Sequence, residues 1–335
     1  MKKIYLISND KIWFSNNRYT SNNDLNNIIT CLNKNYDLNL LCRKSSTKLN
    51  FKLDDNFKLV NINQIIEKRI NFFMVSITPY NFLIYLYLIL LKRKKLNGFV
   101  FLRSDGFLEY KYRLGLVGYF IYYLMFKLIT KKLKILSCSK NFTNVSVKEI
   151  LHPSELDAKW FENIDLKKFY ETDFLYIGRF KKEKGVFYLV KIFNDYLKNY
   201  NCTVVGTKKS SIPKKYHLKN IFYKDSISNL SDLIREYDKA QIFILPSYLE
   251  GFPKVISEAL ARLKPVIIFS EISYVINSRE GIFVCERNEE SLKKTINHIH
   301  KNYEDIQKKI QQSHFYTKEN FGKELLNSTK NEFCN

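Results

Sequence analysis

A chain of 335 residues exceeds the usual size of one compact domain, so two domains of roughly 150 residues each are the natural expectation. With 45% hydrophobic and 26% charged residues, the composition excludes the apolar depletion that marks disorder. The excess of 55 Lys+Arg over 33 Asp+Glu gives a net charge of +22, which points to nucleic acid, anionic lipid or phosphorylated small molecules, or to a solvated Lys-rich surface alone.

The chain opens on MKKIYLISND, whose apolar run is too short for a signal-peptide core and carries no small-residue cleavage site, so a cytoplasmic location is expected. In the first half KIYLIS (3–8), LNLLC (38–42), GFVFL (98–102) and KILSCS (134–139) have the β-branched and apolar character of strands. Two further stretches are more ambiguous. Residues 72–91 are mostly apolar and end in FLIYLYLILL, a clean run of about 10 residues, or roughly 15 Å of helix, half of a bilayer span. Residues 114–126, LGLVGYFIYYLMF, form the second, and both runs are followed by clustered lysines. They fit core helices, or helices that lie on the cytoplasmic face of an anionic membrane.

From 151 to 172 the regular alternation lapses around Pro153, and the interdomain connection is expected there. Six strand-like segments follow: 173–178, 202–206, 220–225, 241–247, 265–270 and 282–286. Strands alternating with helical patterns in both halves predict parallel sheets built from βαβ units. Residues 303–326 read as helical. The cysteines at 31, 42, 138, 202, 285 and 334 form no C-x-x-C pair and stand near no His at ligand spacing, so they read as reduced thiols. His152, His217, His298, His300 and His314 show no metal-ligand spacing either.

The strongest local signal is LPSYLEGFPKVISEALARLKPVIIFS, 245–270. A buried strand ends at Pro246 and Ser247, a loop carries Glu250, Gly251, Phe252 and Pro253, and a helix follows through Val255 and Glu258. Pro253 suits a first helical turn, and free N–H groups near Lys254 and Val255 with the helix dipole favour an anionic or hydroxyl-rich ligand. Two carboxylates eight residues apart could reach different parts of one elongated ligand. Earlier in the same half, a strand runs through Gly178 into Arg179, Glu183, Lys184 and Gly185, a phosphate cradle in outline that could equally be a solvated loop.

Together these motifs resemble glycosyltransferase family 4, whose members place G-R then E-K-G after the first strand of the C-terminal domain and P-S-x-x-E-G-F with a second Glu eight residues on. The resemblance covers about 173–287 and implies a GT-B architecture, α/β with two Rossmann-like domains whose parallel sheets face a central cleft. It divides the chain into an acceptor-side domain (1–150), a connection (151–172), a nucleotide-sugar-binding domain (173–302) and a helical segment returning to the N-terminal domain (303–335). It implies retaining, metal-independent transfer from a nucleoside diphosphate sugar to a glycan or lipid-linked acceptor, with no cofactor. Gly178, Arg179 and Lys184 would hold the diphosphate, Glu258 the ribose, and Glu250 with Gly251, Phe252, Pro253 and Lys254 the donor sugar; Glu250, Arg179 and Lys184 would serve catalysis.

The N-terminal half departs from the pattern. Where many members carry a Gly-Gly loop and a reactive-site His, this chain has NDKIWFSNNRYTSNND and no His before His152. Arg103 and Asp105, after the strand at 98–102, are candidates for acceptor-side contacts or for a salt-bridged turn. Two rival readings stand beside transfer: a catalytically silent nucleotide-binding scaffold at a membrane, and a basic nucleic-acid-binding protein. The second lacks any nucleic-acid motif, so no nucleic-acid partner is expected.

Overall fold

Ile4, Tyr5, Leu6 and Ile7 are consecutive and all buried, the mark of a strand covered on both faces. They form the centre of β1 (Lys2–Ser15) in the computed structural model, which describes residues 1–15, 18–49, 51–53, 56–142, 146–164, 170–276 and 279–333. Cys334 lies outside the described residues. The chain divides into two units, Met1–Pro153 with Lys318–Asn335, and Ser154–Thr317.

The first unit continues with β2 (Arg18–Ser21), α1 (Asn23–Leu32), β3 (Tyr36–Lys44), β4 (Phe51–Lys52), β5 (Phe57–Leu59), β6 (Arg69–Val75), α2 (Pro79–Leu86), β7 (Lys95–Leu102), α3 (Gly106–Thr130), β8 (Lys134–Ser137) and β9 (Glu149–Ile150). Its parallel strands run in the order β5-β3-β1-β6-β7-β8-β9, so the order reverses between β1 and β6. Beyond this sheet the far end of β1 pairs antiparallel with β2, Trp13 opposite Thr20, and β2 with β4. The antiparallel pairing of the end of β1 with β2 thus stands where many family members carry a Gly-Gly loop.

The apolar run at 72–91 is not one helix. Its start, through Val75, belongs to β6, and α2 begins at Pro79, with Thr78 accepting from the Asn81 N–H at 3.3 Å. A π-helical turn, Tyr87–Leu91, ends the run. The second run lies within α3, which Asp105 caps and Gly115 breaks with φ 64° and ψ −150°. By length and composition alone α3 could cross a membrane. It is a core helix on one side only: Tyr122, Met125, Phe126 and Ile129 are buried, whereas Leu116, Val117, Phe120, Ile121 and Leu124 are exposed.

The second unit contains β10 (Thr172–Ile177), α4 (Val186–Asp195), β11 (Cys202–Val205), β12 (Ile221–Lys224), α5 (Leu230–Lys239), β13 (Ala240–Leu245), α6 (Lys254–Ala261), β14 (Val266–Phe269), β15 (Ile282–Cys285), α7 (Glu289–Lys301) and α8 (Tyr303–Gln311). Its sheet is wholly parallel, ordered β12-β11-β10-β13-β14-β15, and reverses between β10 and β13. Phe174, Val204, Ile242, Phe243, Ile244, Val266 and Ile267 fill its core.

The boundaries differ from those expected. Much of 151–172 belongs to the second unit: Trp160 is buried against Tyr237, and the Arg262 guanidinium donates to the carbonyls of Trp160, Glu162 and Asn163 at 2.7–3.2 Å. Helix α8 also stays there, because Ile306 and Ile310 are buried and the Tyr303 hydroxyl donates to the Gln241 carbonyl at 2.8 Å. Only from Lys318 does the chain return to the first unit, as α9 (Lys318–Phe333), which packs Phe321 on Phe101 and Phe333 on Phe99.

Candidate functional site

Ligands of open parallel sheets bind outside the carboxyl ends of the strands where the strand order reverses. In the second unit that place lies after β10 and β13. The chain leaving β10 passes Gly178, Arg179 and a short turn to Gly185, which adopts φ 68° at the start of α4. A Cβ there would lie 1.7 Å from the Pro246 carbonyl oxygen, so only glycine admits this approach of the two loops. A hydrogen bond from Tyr248 N to the Glu183 carbonyl, 3.1 Å, fastens them.

The approach sets Lys184 on Glu250. The Lys184 ammonium donates to both carboxylate oxygens, at 2.7 and 2.9 Å, and the buried Ser247 hydroxyl donates to Oε1 at 2.6 Å. The backbone of Glu250 is also fixed, with the Tyr274 hydroxyl donating to its carbonyl at 2.5 Å and accepting from its N–H at 3.2 Å. Arg179 is exposed, and its guanidinium makes no hydrogen bond or ion pair among the described residues; Tyr176 donates to its carbonyl at 3.1 Å.

Pro253 immediately precedes α6, and Phe252 lies 5.8 Å from the Arg279 guanidinium, which burial lowers to about 10. The Lys254 side chain forms an ion pair with Glu155. Glu258 stands apart from the Lys184 pair: its carboxylate is buried and accepts from Tyr237 at 2.7 Å, while burial and that carboxylate push the Tyr237 hydroxyl far above its usual range.

Arg287, just after β15, escapes a reading by motif because it stands alone in sequence. Its guanidinium donates to the Pro246 and Ser247 carbonyls at 2.8 and 3.0 Å, bonds Glu271 at 2.5 Å, and lies 3.9 Å from the Tyr248 ring centroid. The rule that carboxyl ends bear function could have drawn attention to it.

The first unit has a polar cluster at its own reversal point. Arg103 donates to Asp10 at 3.3 Å and to the Ser76 hydroxyl at 3.3 Å, and approaches Asp24 to 3.6 Å. Ser76, at φ 65°, is held in the left-handed region by Asn81, which donates to the carbonyls of Val75 and Ser76 at 2.8 Å. Asp105 is not brought into this cluster. Its carboxylate caps α3 through Leu108 N at 3.0 Å, and burial raises its pKa. Asp10 and Asp24, from the segment 9–24 that stands where many family members carry a Gly-Gly loop, complete the cluster with Arg103 although Asp10 lies 93 positions from it.

Residues 159–314 match the family model of glycosyl transferases group 1. The capsular polysaccharide biosynthesis glycosyltransferase CapM of Staphylococcus aureus is 31% identical over 150 residues, covering 37% of this chain and 38% of CapM. The chain spans about a third to a half of the length of the curated relatives it matches. Sucrose-phosphate synthase from Thermosynechococcus elongatus superposes over 99% of both chains with a TM-score of 0.68 at 12% identity. Anabaena HepE, solved with UDP and glucose, does so over 98% of this chain and 100% of its own with a TM-score of 0.65 at 11% identity. Those identities speak for the fold. Residues 159–314 thus match the glycosyl transferases group 1, within a chain whose two Rossmann-like units have the GT-B architecture.

Proposed function

We propose that the protein transfers a sugar from a nucleoside diphosphate sugar to a glycan or lipid-linked acceptor in surface polysaccharide or glycolipid synthesis, with retention and without a metal. The observation that carries this reading is the Lys184–Glu250 pair at the carboxyl ends of β10 and β13, beside Arg179 and the start of α6. Departure of a nucleoside diphosphate develops negative charge, and Arg179, Lys184 and the N–H groups opening α6 are the groups to stabilise it. Glu250 and the backbone of 251–254 would meet the donor sugar and Glu258 the ribose. On the acceptor side Arg103, braced by Asp10 and Asp24, is the first candidate. UDP in a protein of like fold and the capsular role in the name of a relative support the substrate classes.

The test is to incubate the purified chain with a panel of nucleotide sugars and to follow release of free nucleoside diphosphate, with and without chelator. Release that survives chelation supports the proposal. Binding of nucleotide sugars with no release under any acceptor supports the silent scaffold instead, and activity lost in chelator and restored by manganese overturns the metal-free mechanism.

A further inference from the structure

A surface helix normally buries one apolar stripe and turns charged residues to water. Helix α3 does not. Its stretch from Leu116 onward buries Tyr122, Met125, Phe126 and Ile129, yet on the opposite side Leu116 is 66% exposed, Val117 67%, Phe120 65% and Leu124 56%. No charged residue occurs between Arg113 and Lys127. Helix α2 packs beside α3, tied by the Tyr85 hydroxyl donating to the Leu128 carbonyl at 2.7 Å. Leu83 on α2, with Leu90 and Leu91 on the turn after it, adds three more exposed side chains. Apolar groups gathered in this way mark a surface that meets something apolar.

The margins of this surface are basic. Lys111, Lys127, Lys131 and Lys132 lie before and after the apolar stretch of α3, and Lys92, Arg93 and Lys95 follow the α2 run; all are exposed. A second copy of the chain docking face to face would set these like charges against one another. An anionic bilayer would attract them while taking up the leucines and phenylalanine.

We propose that the first unit docks on an anionic membrane surface through the outer face of α3 and the exposed leucines at 83, 90 and 91, with α3 lying in the plane of the interface. A transverse span does not suit this helix. Its inner face belongs to the core of the first unit, and the break at Gly115 leaves a stretch of about 22 Å, short of the roughly 30 Å hydrocarbon layer.

The whole chain is mixed with vesicles of phosphatidylcholine alone, or with about a third phosphatidylglycerol, and floated on a density gradient. Flotation with the anionic vesicles, reduced by salt and weak with phosphatidylcholine alone, is the expected result. Phe120→Glu should lower vesicle affinity tenfold or more with an unchanged melting temperature, because the side chain is exposed. Lys131→Glu with Lys132→Glu should lower affinity and flatten its salt dependence. No flotation with anionic vesicles overturns the proposal, as does equal binding by the parent and Phe120→Glu. A dimer split by Phe120→Glu without any vesicle binding assigns the face to a second copy instead. Retention in membranes after alkaline carbonate overturns the in-plane placement.

Discussion

Replacing Lys184 should cost the second unit much more stability than replacing Glu250, because the two ends of their ion pair are unequally buried, at 23% and 8% side-chain exposure. Lys184→Met removes the bonds at 2.7 and 2.9 Å and leaves a buried carboxylate with the Ser247 hydroxyl as its side-chain donor. Breaking a buried pair in this way costs about 3–5 kcal/mol, and the partial exposure of Lys184 puts the value near the lower end, about 3 kcal/mol. Glu250→Gln keeps an oxygen for Ser247 and leaves an ammonium that can turn to water, at about 1 kcal/mol. The double variant has neither charge and should lose about 2 kcal/mol, a coupling of about 2 kcal/mol. The chain has two tryptophans, so in a Trp13→Phe background the fluorescence of Trp160 reports urea unfolding of the second unit alone. An additive cycle, or a larger loss from Glu250→Gln than from Lys184→Met, would refute the reasoning.

Three further outcomes follow from the site and its surroundings. Glu258→Gln should weaken binding of the free nucleoside diphosphate by about 1.5 kcal/mol or more, whereas Glu250→Gln should leave that affinity nearly unchanged and lower turnover; calorimetry and initial rates separate them, and the opposite pattern exchanges their roles. Arg287→Lys keeps the charge but loses the fork on the Pro246 and Ser247 carbonyls, so the donor KM should rise about tenfold with little change in kcat; an unaltered KM denies Arg287 a part in shaping the loop. Burial raises the Asp105 carboxyl pKa, so the folded state holds its proton to higher pH than the unfolded chain, and ionisation costs stability that returns as pH falls through the raised folded-state pKa and is fully regained below the unfolded value of about 3.9. Asp105→Asn keeps the cap without the charge and should match or exceed the parent in urea midpoint at pH 7, the two converging in acid, while Asp105→Ala loses about 1 kcal/mol; an Asn variant as weak as the Ala variant would refute this account.

The strands of the second unit were legible because each is a short apolar run closed by Gly, Pro or charge, as with Ile242 to Leu245 before Pro246. The two loops that follow β10 and β13 were legible too, since each carries its own motif. What joins them was not: Lys184 and Glu250 are 66 positions apart, and the sequence separately suggested a phosphate ligand for one and a sugar ligand for the other. β6 was hidden because Phe72, Phe73, Met74 and Val75 run into the equally apolar α2 with only Ser76 to Thr78 between them, so hydrophobicity alone does not mark the change of period. The outer face of α3 was ambiguous for a related reason. A helix apolar all round reads alike whether its far side meets protein, lipid or water, and only the packing of Tyr122 and Phe126 shows which side the fold has used.

Helix α9 gives the order of synthesis a part in folding. Phe321, Leu325 and Phe333 fill the core of the first unit, so that core is assembled from the two ends of the chain, with the whole second unit inserted in the interval. On the ribosome the second unit has all its strands and helices once Thr317 has emerged, while the first, although made earlier, still lacks the side chains that cover Phe99 and Phe101. The N-terminal unit is therefore the later of the two to close. Until it does, its sheet is open on the face that α9 will occupy, and a nascent chain stalled before Lys318 would present that aromatic face to chaperones and proteases.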